Sequence, residues 1–148
     1  MGFTDPFGLS PLDCKKVKCP SLRAIAMDSA VAKAGGTMLE ASEKDGRERG
    51  AFLFNGPNGT IRVGSVKLGD PNTGQVDLGD APDDAIGSVH THPTVPGANG
   101  MSFPGGPPSG RDAALVEQGN INGVVESKEA RYFQPWENAD IYYAVERP

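Results

Sequence analysis

Gly87-Ser88-Val89-His90-Thr91-His92-Pro93 closes a run, Ala85 to His92, that reads as a β-strand. Pro93 ends it, because proline cannot donate to a ladder. The only two histidines of the 148-residue chain sit here, two apart. On a strand, side chains at i and i+2 leave the same face, so both imidazoles project together and can reach one metal ion at about 2.0–2.1 Å each.

Downstream, Pro93 to Pro108 is a proline- and glycine-rich loop, long enough that a compact domain would give it a task such as a lid or a binding edge. Ser109-Gly110-Arg111-Asp112 then opens a short helix, Gly110 to Gln118, which stops at Gly119. Asp112 in its first turn completes a His₂Asp set and leaves a fourth zinc position open for water, as a catalytic site requires. The bland readings need none of this. A His-x-His pair on a strand is more often a surface or core pair than a metal site. Ser-x-x-Asp also spells an ordinary capping box, and the two readings compete for the Asp112 carboxylate.

Strands near Gly123 to Glu126, Ala130 to Phe133 and Ile141 to Val145 complete a mixed sheet. Upstream of the histidines, Ala51-Phe52-Leu53-Phe54 and Thr60-Ile61-Arg62-Val63 flank Asn55-Gly56-Pro57-Asn58-Gly59 as a β-hairpin, whose second strand extends through Val66 and Leu68. Residues Asp70 to Asp84 are polar and Gly-rich, as a surface loop is. Leu22, Ile25, Ala26 and Ala30 recur at helical spacing behind Ser21, predicting a helix up to Gly35-Gly36. Thr37 to Glu40 has the form of a capping box for a second helical piece. Met1 to Pro20 lacks a sustained period and is expected to be a leader, residues 1–20, outside a core domain spanning residues 21–148.

The fold class is therefore α+β: one domain with a mixed, largely antiparallel sheet, the first helix on one side and the Asp112 helix on the other. A formal net charge of −5, with acidic residues gathered in Asp70 to Asp84, argues against nucleic acid as a partner. No stretch nears the roughly 20 apolar residues of a membrane span, so no membrane insertion is expected. Cys14 and Cys19, the only cysteines, fit neither a zinc knuckle nor a Cys-x-x-Cys pair and read as a local disulfide or two free thiols.

The order His-x-His-Pro on a strand, a Gly/Pro loop, then Ser-x-x-Asp opening a helix resembles the JAMM (JAB1/MPN) metallopeptidases, whose motif is an upstream Glu, His-x-His and Ser-x-x-Asp. In the order of elements the resemblance covers roughly Ser21 to the C-terminus. It implies a zinc ion held by His90, His92 and Asp112, with Ser109 steadying a tetrahedral oxyanion and Glu48 as general acid and base. The substrate so implied is a protein or peptide. The stretch from His92 to Ser109 is longer than the family's, which requires an inserted loop. Gly50 stands two residues after Glu48 rather than three, so Glu43 and Glu40 remain alternatives for the base; all three are otherwise solvated charges at a helix end.

Thr4-Asp5-Pro6-Phe7-Gly8-Leu9-Ser10-Pro11 resembles the Asp-Pro-x-Gly-Leu signature that closes the core of RHS-repeat proteins, just before a variable C-terminal toxin domain. That resemblance implies a secreted effector, delivered into a target cell as the tip of a larger toxin, and a cognate immunity protein as partner. A plain proline-rich linker is the alternative. Two rival functions stand beside zinc hydrolysis: a non-catalytic binding module of the same fold, and a zinc-dependent deaminase-type hydrolase. The missing Pro-Cys-x-x-Cys element counts against the second.

Overall fold

The structure, a computed structural model, describes residues 12–14, 16–95 and 105–145. A short antiparallel pair, β1 (Leu12–Asp13) and β2 (Lys18–Cys19), leads into α1 (Leu22–Met27) and α2 (Ser29–Asp45). Then come β3 (Arg49–Asn55), β4 (Ile61–Val63), β5 (Lys67–Leu68), β6 (Ala85–Thr91) and α3 (Gly110–Gly119). The strands β7 (Asn122–Glu126), β8 (Arg131–Gln134) and β9 (Tyr143–Val145) complete the sheet. Its order is β4-β3-β6-β7-β8-β9, with β5 also paired to β3. Only β6 and β7 run parallel among the described pairs. This is the α+β, mixed and largely antiparallel sheet expected from the sequence.

The parallel pair positions the site. Parallel neighbours need a crossover, and α3 supplies it. A crossover helix begins where the chain left the first strand, so the first turn of α3 stands at the carboxyl end of β6, beside the histidines. Strand alternation sorts the neighbours: Thr91 bonds Ser42 of α2 at 2.8 Å, whereas His90 faces Asp112 of α3.

The break between the helices falls at Asp28 rather than Gly35-Gly36. The Asp28 side chain accepts from Val31 N at 3.0 Å, capping α2, which runs unbroken through both glycines to Gly46 in the left-handed region (φ 72°). Gly35 is a packing residue instead: a Cβ there would lie 2.6 Å from Glu126 Oε1, a side chain wholly buried in the sheet. Thr37 consequently lies inside a helix and opens none. Nor does β4 continue to Leu68; β5 is a separate strand on β3, and Val66 and Leu68 are exposed.

The expectation of a leader wholly outside the core does not hold for the described residues before Ser21. Cys14 and Cys19 form a disulfide, Cys19 is fully buried in the main core cluster, and Cys14 and Val17 pack against it. Lys18 O accepts from Asn55 Nδ2 at 3.2 Å, and Lys16 pairs with Asp83 at 2.7 Å. Two joined cysteines make an apolar wedge without any period along the chain, so periodicity had nothing to detect. Thr4 to Pro11 lies outside the described residues. Among those described, no helix is long and apolar enough to cross a membrane.

Candidate metal centre

His90 comes from the last turn of the pleat in β6, and His92 follows just beyond it, held by its N–H donating to Glu126 O at 2.8 Å. Both are buried. Their Nε2 atoms stand 3.1 Å apart. Asp112 presents one carboxylate oxygen to each ring: Oδ1 lies 3.0 Å from His90 Nε2, and Oδ2 lies 3.3 Å from His92 Nε2. The three side chains form a buried group able to hold a metal ion, their ligand atoms all within 4.8 Å of one another.

The spacing fits a small tetrahedral cation. Two donors each about 2.0–2.1 Å from such an ion lie about 3.3 Å apart, close to the 3.1 Å between the two Nε2 atoms. Two imidazole nitrogens and a carboxylate oxygen are also an ordinary zinc donor set with one position left for solvent or substrate. His92 has the outer partner that ligating histidines usually carry, since its Nδ1 lies 2.9 Å from Gly106 O. His90 Nδ1 is buried with no hydrogen-bond partner among the described residues.

The capping box leaves room for a ligand role of the same carboxylate. Ser109 N and Oγ both donate to Asp112 Oδ2, at 2.7 and 3.0 Å, and Ser109 Oγ accepts from Asp112 N at 3.4 Å. The box thereby sets the angle of the carboxylate and leaves Oδ1 to His90. It also engages the Ser109 hydroxyl, so an oxyanion role would require that proton to turn away from Asp112.

Glu48 precedes β3 and is buried. Its N–H donates to Gly74 O and its C=O accepts from Gly69 N, both at 2.7 Å. The side chain is oriented by Val76 N, which donates to Oε1 at 3.0 Å, while Oε2 lies 3.8 Å from His92 Nε2. The fallback residues sit elsewhere: Glu40 is exposed on α2, and Glu43 accepts hydrogen bonds from Thr94.

Charge is concentrated here. Burial works against ionising Asp112, but the two histidines override it and hold the carboxyl well below the usual carboxylate range. Burial likewise opposes protonation of His90, yet the facing Asp112 outweighs it and raises the imidazole above its ordinary value. Beside the centre opens a cleft of about 320 Å³ lined by Val76, Leu78, His90, Arg111, Asp112 and Leu115. Arg111 donates to Gln75 Oε1 at 3.0 Å and to Val76 O at 3.3 Å, bridging the two walls.

Motif spacing singled out His90, His92 and Asp112, the resemblance added Glu48 and Ser109, and the structure brings all five together. It had no means of finding the Gly106 carbonyl, the Val76 amide or Arg111, since backbone groups and a lone arginine carry no pattern. Searches against family models, curated proteins and solved structures found no match to this chain.

Proposed function

We propose that this chain is a zinc-dependent hydrolase of peptide or isopeptide bonds, acting as the C-terminal effector domain of an RHS-type toxin. The observation that carries the reading is the convergence of His90, His92 and Asp112 with the carboxylate of Glu48 at the edge of an open cleft. The effector context rests on the Thr4 to Pro11 signature alone.

A bound zinc supplies an acidified water and polarises the scissile carbonyl. The chain's own groups do the rest. Glu48 takes the proton of the attacking water at Oε2, because Oε1 is committed to Val76 N, and returns it to the departing amine. One carboxylate thus serves both transfers and ends each cycle as it began. The Gly106 carbonyl keeps the His92 proton on Nδ1, leaving Nε2 to face the centre. The cleft between Val76–Leu78 and α3 receives the substrate on the His90 and Asp112 side.

Elemental analysis of the purified protein, coupled to cleavage of a peptide library, tests the proposal. Stoichiometric zinc and cleavage are expected in wild type, and both should be lost in His90→Ala. Zinc without cleavage would leave a binding module; no more zinc in wild type than in His90→Ala would end the metallohydrolase reading.

A further inference from the structure

We propose that Glu43 on α2 is a positioning residue for the metal centre, fixing through Thr94 the turn of chain whose Gly106 carbonyl orients His92. The inference rests on the metal reading above.

The links are short and continuous. One Glu43 oxygen accepts from the Thr94 N–H and the other from the Thr94 hydroxyl, so both carboxylate oxygens grip a single residue. The Glu43 side chain is only 12% exposed; Lys128 Nζ lies 3.6 Å from it but is itself 66% exposed and contributes little. Thr94 is two residues past His92. On its N-terminal side, Pro93 O accepts from Gly105 N at 2.9 Å. Gly105 has φ +72°, and a Cβ there would lie 2.9 Å from Thr94 Cγ2, so Thr94 packs directly on the glycine backbone. The next residue, Gly106, places its carbonyl 2.9 Å from His92 Nδ1.

A carbonyl can only accept, so this contact requires the proton on Nδ1 and leaves the Nε2 lone pair for the metal. Without an anchor at Thr94, Gly106 would be free to shift, and the ring could exchange tautomers. α2 is that anchor: seventeen residues long and docked on β6 through Ser42 and Thr91. Glu43 lies one residue past Ser42, so the helix holds β6 and Thr94 in one frame.

Two measurements separate positioning from mere structural support. The first is zinc affinity by competition with a chromogenic chelator; the second is the ¹⁵N shift pattern of the imidazole rings in metal-free protein, well resolved because the chain has two histidines. Glu43→Ala should weaken zinc binding about 10–100-fold, the range for loss of an outer partner. It should also move the His92 ring from a single Nδ1–H tautomer toward a mixture. Glu43→Gln, whose amide can accept from the Thr94 N–H and donate to its hydroxyl, should restore both. Thr94→Val, which removes only the hydroxyl contact, should show a smaller loss and reads the same link if Glu43→Ala folds poorly. Wild-type zinc affinity and unchanged ring shifts in Glu43→Ala or, should that variant not fold, in Thr94→Val would overturn the proposal. Absence of zinc from wild type would overturn the metal reading separately, and the ring shifts would still decide whether Glu43 positions His92.

Discussion

Asp112 Oδ1 stands 3.0 Å from His90 Nε2, while the other oxygen of the same carboxylate is fastened into the cap of α3. Cap and ligand can therefore be separated by substitution. Asp112→Asn keeps an oxygen for Ser109 N, so at a pH above the raised His90 value, where the His90–Asp112 pairing no longer adds stability, it should leave metal-free stability nearly unchanged while weakening zinc binding. Asp112→Ala also loses the oxygen that accepts from Ser109 N, a further destabilisation of about 0.5–1.5 kcal/mol, while its own backbone N–H still donates to Ser109 Oγ. Thermal melts of the chelated proteins beside zinc competition check the pair; equal melting of the two would show that the box contributes nothing.

The raised His90 fixes a sign for pH. In metal-free protein the folded state binds this proton more tightly than the unfolded chain, so its stabilisation is full below about 6.5 and is lost as pH rises through the higher folded value. Zinc needs the neutral ring, so metal and proton compete and metal binding strengthens over the same window. The gap in melting temperature between zinc-loaded and chelated protein should widen from about pH 6 to about pH 8. A gap that narrows would place the competing proton elsewhere.

Glu48→Gln should keep its hydrogen bond from Val76 N and its zinc, while turnover falls by about 10²–10⁴-fold. Glu40→Gln is the control, because Glu40 is exposed on α2. Loss of zinc together with activity would make Glu48 a structural support of the site and not its base.

The neighbouring glycines of α2 should respond with opposite signs. Gly36→Ala meets nothing within 4 Å and should stabilise the helix by about 0.5–1 kcal/mol. Gly35→Ala forces a methyl against Glu126, which is wholly buried and bound to Arg131 at 2.6 Å, and should destabilise by about 1–3 kcal/mol. Chemical denaturation of the two variants reads the difference directly.

Deleting residues 1–20 removes the buried Cys19 and its packing against the core, so the melting temperature should drop by about 5 °C or more. An unchanged melt would mean that the Cys14–Cys19 wedge adds no net stability.

What the sequence made legible is what has a period or a fixed spacing. His90 and His92 sit two apart on a strand, and that alternation alone aims both at one face. Ser109 and Asp112 sit three apart, and the cap geometry that spacing encodes also sets the carboxylate. Gly35-Gly36 misled because helix propensity, worth about 1 kcal/mol per glycine, was outweighed by the close approach to Glu126 that only a glycine permits. Glu43 read as a solvated charge because its partner, Thr94, lies 51 positions away, a separation no local pattern spans.

The hydrogen bond from Gly105 N to Pro93 O pinches the chain shut at the foot of the stretch between them. The two ends of that stretch, Pro93–Thr94 and Gly105–Gly106, are thereby fastened to each other, and with Thr94 gripped by Glu43 they decide together where His92 and its Gly106 partner stand. For an engineer, that foot is the part to keep: any exchange of the residues between must preserve the Gly105–Pro93 bond and the Glu43 grip on Thr94 if His92 is to keep its orientation.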